Sequence, residues 1–143
     1  MPYVTVWIHY VWSTKNREPL VIGAVKTPLY AHIRQNALAK GIHLDSLNGS
    51  FDHIHALISL RAEQSIAKIA QLLKGESSHW MNEQKLIRGE FQWQDEYYAA
   101  SVSESQLDRL RTYIARQEEH HRHKTFPEEW QEFMEKLKRQ ENK

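Results

Sequence analysis

The chain of 143 residues is long enough for one domain, residues 1–143, with a hydrophobic core of its own. Its 19 lysines and arginines against 18 acidic residues give a net charge of +1, so any basic surface that attracts nucleic acid must be local. The absence of cysteine excludes disulfides, thiolate zinc sites and a cysteine nucleophile, and it fits a cytoplasmic location. The amino terminus has no signal-peptide pattern and no apolar run is long enough to span a bilayer, so we expect no membrane association.

The first predicted element is a strand over residues 3–12, because this stretch is β-branched and aromatic with few polar positions. It contains His9, which is either a hydrogen-bonded packing residue or part of a site; packing is the commoner case. The loop that follows carries Lys15 and Arg17. These two cations fit a solvated turn, and they also fit contacts to phosphate.

A helix is predicted from Thr27, as a capping hydroxyl before a proline, to Lys40-Gly41, where a glycine follows a cation. Its buried side would consist of Leu29, Ile33 and Leu38. A short strand over residues 42–47 follows this helix. The Asn48-Gly49 turn signal then predicts a hairpin into the next strand.

The strand after that turn alternates in a way that gives it two different faces. Ile54, Ala56 and Ile58 share one face, and His53 and His55 share the other, because side chains two apart point the same way. Two neutral imidazoles at this spacing can share a divalent ion. The alternative is a polar surface pair, which the motif taken alone favours. Asp52 either orients a histidine or lies in the turn.

The rest of the chain continues to alternate between predicted helices and strands. A helix begins after Ser65 as N-cap, with Gly75 as a weak point within it. An aromatic segment over residues 91–102 enters a strand. A capping-box pattern at residues 103–106 opens a helix over residues 104–121, and a last amphipathic helix is predicted over residues 128–138. The order predicts an α+β fold: a ferredoxin-like split βαβ antiparallel sheet with helices on one face, plus the later helices. The opposite sheet face would be open.

Tyr113 and Gln117 are four residues apart and therefore lie on one face of the predicted helix over residues 104–121. A tyrosine hydroxyl becomes a useful nucleophile when a nearby cation stabilises its phenolate, and a glutamine oxygen can complete a metal site. The spacing alone favours a packed tyrosine and a solvated glutamine. Tyr97 and Tyr98 are competing nucleophiles, although neither has a glutamine one helical turn later.

These residues carry a resemblance to a known family. The stretches Asp52-His53-Ile54-His55 and Tyr113-Ile114-Ala115-Arg116-Gln117 resemble the two motifs of the HUH single-tyrosine transposases of small bacterial insertion sequences. The Lys15–Glu18 loop and the Phe91–Gln94 stretch look similar as well. The resemblance extends over residues 3–130 and includes the relatives called REP-associated tyrosine transposases.

The resemblance implies a metal-dependent transposase that cleaves and rejoins single-stranded DNA through a 5′-phosphotyrosine intermediate, at element ends that contain hairpins. Tyr113 would be the nucleophile, and His53, His55 and Gln117 would bind Mg²⁺ or Mn²⁺. Two imidazoles are unusual ligands for Mg²⁺ and suit Mn²⁺ better. Family members are homodimers in which the tyrosine acts within its own subunit or in its partner's site. The basic residues that could contact DNA are Lys15, Arg17, Lys74, Arg88, Arg111 and Arg122.

Two other functions fit parts of the sequence. A split βαβ sheet could bind single-stranded nucleic acid without catalysis, and such a module would ignore divalent ions and tolerate the loss of Tyr113. A small metalloenzyme could use His53 and His55 for oxygen or hydrolytic chemistry. It would act on a small molecule with no requirement for DNA.

Overall fold

The protein is described from a computed structural model that covers residues 2–117, 131–132 and 135. Its strands are β1 (Val6–Ser13), β2 (His43–Ser50), β3 (His53–Leu60) and β4 (Tyr98–Val102), and its helices are α1 (Lys26–Ala39), α2 (Ile66–Gln84) and α3 (Leu107–Ala115). Short 3-10 turns occur at Lys15–Arg17, Gly23–Val25 and Glu104–Gln106. This order confirms the predicted α+β fold with a ferredoxin-like split βαβ arrangement. Within the part of the chain that the structure describes, no helix is long and apolar enough to cross a membrane.

All four strands pair antiparallel in the order β2-β3-β1-β4. The predicted alternation in β3 is confirmed, because Ile54, Ala56 and Ile58 are fully buried in the main core on one face. Ile8, Tyr10 and Trp12 of β1 join them there, together with the inner sides of α1 and α2. The histidines of β3 therefore point to the opposite face of the sheet.

The opposite face is covered in part by α3 and is not open as we expected. A second core cluster forms there from Leu57 of β3 with Leu107, Leu110, Tyr113 and Ile114 of α3. The apolar stripe of α3 therefore packs on the sheet face that carries the histidines, which leaves these histidines fully buried. The prediction failed because the stripe of α3 was identified without its packing partner.

The β2–β3 hairpin is confirmed, but its turn lies at Phe51-Asp52 and the Asn48-Gly49 turn was wrong. Asn48 and Gly49 lie within β2, where Gly49 pairs with Ile54. A Cβ at residue 49 would lie 2.1 Å from the backbone oxygen of His53. Glycine is therefore required at this position for the close approach of two strands, which a sequence cannot distinguish from the need for a turn.

Two predictions for α1 were wrong in detail. Val25, not Thr27, is the N-cap residue, because the 3-10 turn Gly23–Val25 leads directly into the helix, and no side chain caps it. Leu38 is 81% exposed, and Ala37 takes the buried position one residue earlier. The cap of α2 is confirmed, since the Ser65 hydroxyl accepts a hydrogen bond from the Lys68 backbone N–H.

The helix with Tyr113 begins later than predicted. Residues 104–106 form a 3-10 turn and Ser103 makes no side-chain cap, so the capping-box prediction was wrong and α3 begins at Leu107. Its regular part ends at Ala115, followed by a turn at Arg116 and one further helical residue at Gln117, and residues 118–121 of the predicted helix lie outside the described residues. The predicted C-terminal helix over residues 128–138 also lies outside them, apart from residues 131–132 and 135.

Candidate active site

The two β3 histidines lie at the start of the strand, in the middle of three paired strands. His53 pairs with Ser13 of β1 and with Ser50 of β2, and His55 pairs with Val11 of β1. Both imidazoles are fully buried, with ring centroids 5.1 Å apart. The prediction that they project side by side from one face is therefore confirmed. Full burial excludes the alternative of a polar surface pair.

Each of these two imidazoles has its Nδ1 engaged by a neighbouring side chain. His53 Nδ1 lies 2.8 Å from Asp52 Oδ1, and His55 Nδ1 lies 2.9 Å from His9 Nε2. A metal-ligating histidine commonly uses one ring nitrogen for the ion and the other for such an orienting contact. Because both Nδ1 atoms are engaged, Nε2 is the nitrogen of each ring that could bind an ion. Asp52 contacts His53 directly, in accordance with an orienting role.

His9 is a site residue that the sequence left undecided. Its ring stacks on that of His55 with centroids 5.1 Å apart and an interplanar angle of 22°. Burial lowers the pKa of His9 to about 3, so the ring is neutral. The strand pattern of β1 could have indicated this role only with the β1–β3 register, which sets His9 opposite Leu57, two residues beyond His55.

Tyr113 lies on α3 and Gln117 lies two residues beyond its end, and both side chains reach the same site, as predicted. Tyr113 is 8% exposed, and the edge of its ring meets His55 with centroids 5.5 Å apart. Gln117 is fully buried, with its Oε1 3.1 Å from His53 Nε2. All four predicted residues are therefore brought together within one chain. The alternative of a solvated glutamine is therefore excluded, whereas Tyr113 is packed in the second core cluster, as the alternative had it.

Two side chains of β2 hold α3 at this distance from the sheet. Asn48 Nδ2 donates to the backbone oxygens of Ile114 and Ala115 at 3.0 and 3.2 Å, where a helix end leaves carbonyls without intrahelical partners. Asp45 accepts two hydrogen bonds of 3.0 Å from the Arg111 guanidinium. Burial tends to raise the Asp45 pKa, but the hydrogen bonds from Arg111 and Ser46 and the Arg111 charge outweigh it and lower this pKa.

The arrangement of polar atoms between His53 and Gln117 fits a bound cation. A carboxylate only accepts, so the Asp52 contact places the His53 proton on Nδ1. Gln117 Nε2 donates to the Tyr113 backbone oxygen at 3.4 Å, which turns Oε1 toward His53 Nε2. In a neutral His53 ring two lone pairs would then face each other. An ion between them would satisfy both, so this donor set fits the implied metal.

The fit depends on the amide oxygen as one ligand. Among the residues described, no group of three or more His, Cys, Asp or Glu side chains could hold a metal ion. The predicted set has two imidazoles and one glutamine. Imidazole nitrogens combined with an amide oxygen suit Mn²⁺ better than Mg²⁺, which prefers an all-oxygen environment.

The competing tyrosines are placed less favourably. Tyr97 lies on the other side of the sheet, where its ring contacts Tyr10 with centroids 6.0 Å apart. The Tyr98 ring meets His9 at 6.5 Å, and burial raises the Tyr98 pKa, which opposes formation of a phenolate. Tyr113 is therefore the best-placed nucleophile among these three.

The predicted DNA-contacting residues differ in how far the fold already uses them. Lys15 and Arg88 are exposed. Lys74 Nζ donates to the backbone oxygens of Gln94 and Asp95 at 2.6 and 2.8 Å. Arg111 is bonded to Asp45 and Asp108. Arg122 lies outside the described residues. Lys74 and Arg111 thus have structural roles, whereas Lys15 and Arg88 remain the simpler candidates for phosphate contact.

Arg17 is the predicted cation nearest to the site. Its Nε lies 3.7 Å from Asp52 Oδ2, and its side chain is nearly half exposed. Asn16 and Arg17 both have φ of 57°, a left-handed conformation that side chains rarely adopt. The Thr14 hydroxyl donates to the Glu18 backbone oxygen at 2.6 Å and closes this strained turn. Such strain often occurs at functional sites, where the surrounding structure holds it.

A His-x-His pair on a central strand, with a tyrosine and a glutamine presented by one helix, defines the class of HUH single-tyrosine DNA strand-transfer enzymes. The chain belongs to the IS200-like transposases, because the model of that family matches residues 3–117. It is 29% identical over 115 residues to the ISDra2 transposase TnpA of Deinococcus radiodurans, an alignment that covers 76% of this chain and 81% of that protein.

Two solved structures are similar as well. The crystal structure of a candidate transposase from Deinococcus radiodurans has a TM-score of 0.64 and 27% identity, and the match covers 82% of this chain and 95% of that one. A REP-associated tyrosine transposase bound to a REP hairpin has the same TM-score at 12% identity, and covers 85% and 72% of the two chains. The second likeness shows the fold alone.

Proposed function

We propose that this transposase cleaves and rejoins single-stranded DNA through a covalent link to Tyr113, at a divalent ion held by His53, His55 and Gln117. The observation that carries the proposal is the contact of these four side chains in one buried cluster. The bound ion would polarise the scissile phosphodiester. Asp52 and His9 orient the two imidazoles, and α3 presents the nucleophile from the side of His55.

In the cleavage step, Tyr113 Oη forms a bond to phosphorus while the bond from phosphorus to the 3′ oxygen breaks. The proton that the phenol loses is balanced by the proton that the departing 3′ oxygen gains. The DNA 5′ phosphate remains on Tyr113. In the reverse sense, the 3′-hydroxyl of a second strand attacks this phosphotyrosine, and the tyrosine leaves. One ester replaces another in each step, so no nucleotide triphosphate is consumed.

We also propose that the substrate carries a hairpin near the cleavage position and that the active species is a homodimer. The hairpin is supported by the related fold that is bound to a REP hairpin. The dimer follows from the family resemblance. Within the described residues Tyr113 of one chain already contacts His55 of the same chain, so each copy would hold its own complete site.

The test is a covalent-adduct assay with single-stranded hairpin oligonucleotides taken from the DNA that flanks the gene, labelled at the 3′ end. We expect the wild type to give a labelled protein band with Mn²⁺, and Tyr113→Phe to give none while it still binds the oligonucleotide. Tyr98→Phe is the matched control and should form the adduct. An adduct that persists in Tyr113→Phe would assign the nucleophile elsewhere. Binding without any adduct would support a non-catalytic module.

A further inference from the structure

A groove of about 680 Å³ lies on the α2 side of the sheet, away from the buried histidines. It runs between α2 and the segment 90–97, and its lining includes Lys15, Gln71, Lys74, Gly75, Gln92 and Tyr97. Its volume is within the range of about 300–1,000 Å³ that is usual for small-molecule sites. The site described above does not use it.

Gly75 is the first indication that something approaches this groove from outside. It lies near the middle of α2, where glycine disfavours the helix relative to alanine. A Cβ at residue 75 would have no atom within 4 Å, so internal packing does not require a glycine here. The space beside the helix backbone is therefore available to a ligand, and a larger side chain would occupy it.

The charges around the groove favour a neutral ligand over a phosphate. Lys15 and Lys74 are balanced in the lining by Glu90 and Asp95. Lys74 is committed to the wall, because its ammonium group donates to two backbone oxygens of the 90–97 segment and lies 5.6 Å from the centre of the Tyr97 ring. A phosphate would find little net positive charge in this groove.

The neutral groups of the lining suit a nucleobase. Gln71 is exposed and Gln92 is half-buried, and each amide can both donate and accept hydrogen bonds, as base edges require. Tyr97 is 37% exposed, so part of its ring is available for a base to stack on. A hydrogen-bonding surface beside an aromatic ring is the usual way in which proteins read unpaired bases.

One short turn connects this groove to the active site. The Lys15 backbone N–H donates to the Gln92 oxygen at 3.0 Å on the groove side. Two residues later, Arg17 lies 3.7 Å from Asp52, which contacts His53. The turn Lys15–Arg17 therefore borders both places, and a DNA strand that crosses it would have its phosphates near two cations.

We propose that the groove binds one or two unpaired bases of the DNA strand next to the scissile phosphate, and that it contributes to the choice of cleavage sequence. This inference rests on the proposed function, because it assumes that the strand reaches the site across the Lys15–Arg17 turn. In this arrangement the groove contacts the bases, and the Lys15–Arg17 turn contacts the DNA backbone between the groove and the active site.

The test compares the wild type with Gly75→Leu, which fills the groove from the helix. Binding of a hairpin oligonucleotide from the flanking DNA is measured without divalent ions, with single abasic positions scanned along its unpaired part. In the wild type we expect one or two adjacent abasic positions to weaken binding at least about five-fold, in line with the contribution of one stacked base. Gly75→Leu should weaken binding of the intact strand by a similar factor and lose this sensitivity.

Two further variants keep the result interpretable. His79→Leu adds the same side chain to the exposed part of α2 outside the groove and should keep the wild-type profile. Gly75→Ala should raise the melting temperature by about 2–6 °C, because alanine favours the helix, and would show that α2 tolerates a side chain at this position; the melting temperature of Gly75→Leu itself shows whether that variant is folded. The proposal is overturned if no abasic position matters in the wild type, or if Gly75→Leu keeps the same profile.

The failure of this inference and that of the proposed function are distinguishable. A normal phosphotyrosine adduct with an unchanged abasic profile in Gly75→Leu would refute the groove alone. A base-dependent groove in a protein that forms no adduct at Tyr113 would refute the cleavage mechanism and leave the groove as a nucleic-acid site. Weaker binding by Gly75→Leu with an unchanged profile would show a backbone contact and overturn the reading of bases.

Discussion

The contact between His9 and His55 leads to a prediction about the proposed metal site that can be worked from the structure. If His55 carries its proton on Nδ1 and donates it to His9 Nε2 over 2.9 Å, then His55 Nε2 has the lone pair that a metal needs. If the proton lies on the other side of this bond, His55 Nε2 is protonated and cannot bind. A His9 ring that accepts this hydrogen bond would hold His55 in the tautomer that can bind a metal, so the role predicted for His9 is one of positioning.

The perturbation is His9→Phe, which keeps an aromatic ring beside His55 but removes the ring nitrogen that would accept the hydrogen bond. Both histidines are at most 3% exposed, so no water replaces the lost partner easily. An unsatisfied buried donor costs about 1–3 kcal/mol, and we expect the free energy of unfolding to fall by that amount. The loss of such an orienting partner typically reduces metal affinity by about 10–100-fold.

The assay has a readout that does not depend on catalysis. The tautomer of His55 is read from the ¹⁵N shifts of its ring in the metal-free protein, and the affinity for Mn²⁺ is measured by titration. His9→Gln should restore both, because its side-chain oxygen can occupy the place of Nε2 and accept the same hydrogen bond. His32→Phe is the matched control, since His32 bonds Glu76 and stacks on Trp80 far from the site. An unchanged tautomer and affinity in His9→Phe would refute the reasoning.

Three further predictions concern α3 and the site it completes. Asn48→Ala removes the donor to the last carbonyls of α3, and we expect it to destabilise the protein by about 1 kcal/mol and to slow adduct formation at Tyr113; a normal rate would show that α3 needs no such anchor. Asp45→Asn should destabilise the protein at pH 7, and because the folded pKa of Asp45 is lowered, the difference in unfolding free energy should shrink as the pH falls below about 4; a constant difference would contradict this assignment. A mixture of His53→Ala and Tyr113→Phe should remain inactive, since each copy holds its own tyrosine, whereas restored cleavage would show that the two residues act across a dimer.

The sequence predicted the chemical groups of the site better than their surroundings. The alternation over residues 53–58 was sufficient to place both histidines on one face, because a strand has a fixed period of two. The spacing of Tyr113 and Gln117 was sufficient to place them on one helical face. These local periodicities do not depend on distant parts of the chain, and the structure confirms both.

What the sequence could not predict depends on contacts between distant residues. Gly49 was taken for a turn because a glycine that permits close strand approach has the same sequence signal as a glycine that permits a turn. Leu38 is exposed although the helical period would bury it, since Ala37 satisfies the same packing position. The role of His9 requires the register between β1 and β3, which a pattern within one strand does not contain.

The position of α3 shows how the sheet edge contributes to the site. The regular part of α3 has nine residues, too short to be stable by itself in water, so its place depends on packing and on β2. Asp45 holds it through Arg111, and Asn48 holds its last carbonyls, one on either side of the position of Tyr113. Because β2 also pairs with β3 at His53 and His55, the strand that fixes the helix fixes the histidines as well. The edge strand β2 therefore helps to set the distance between the proposed nucleophile and the proposed metal ligands.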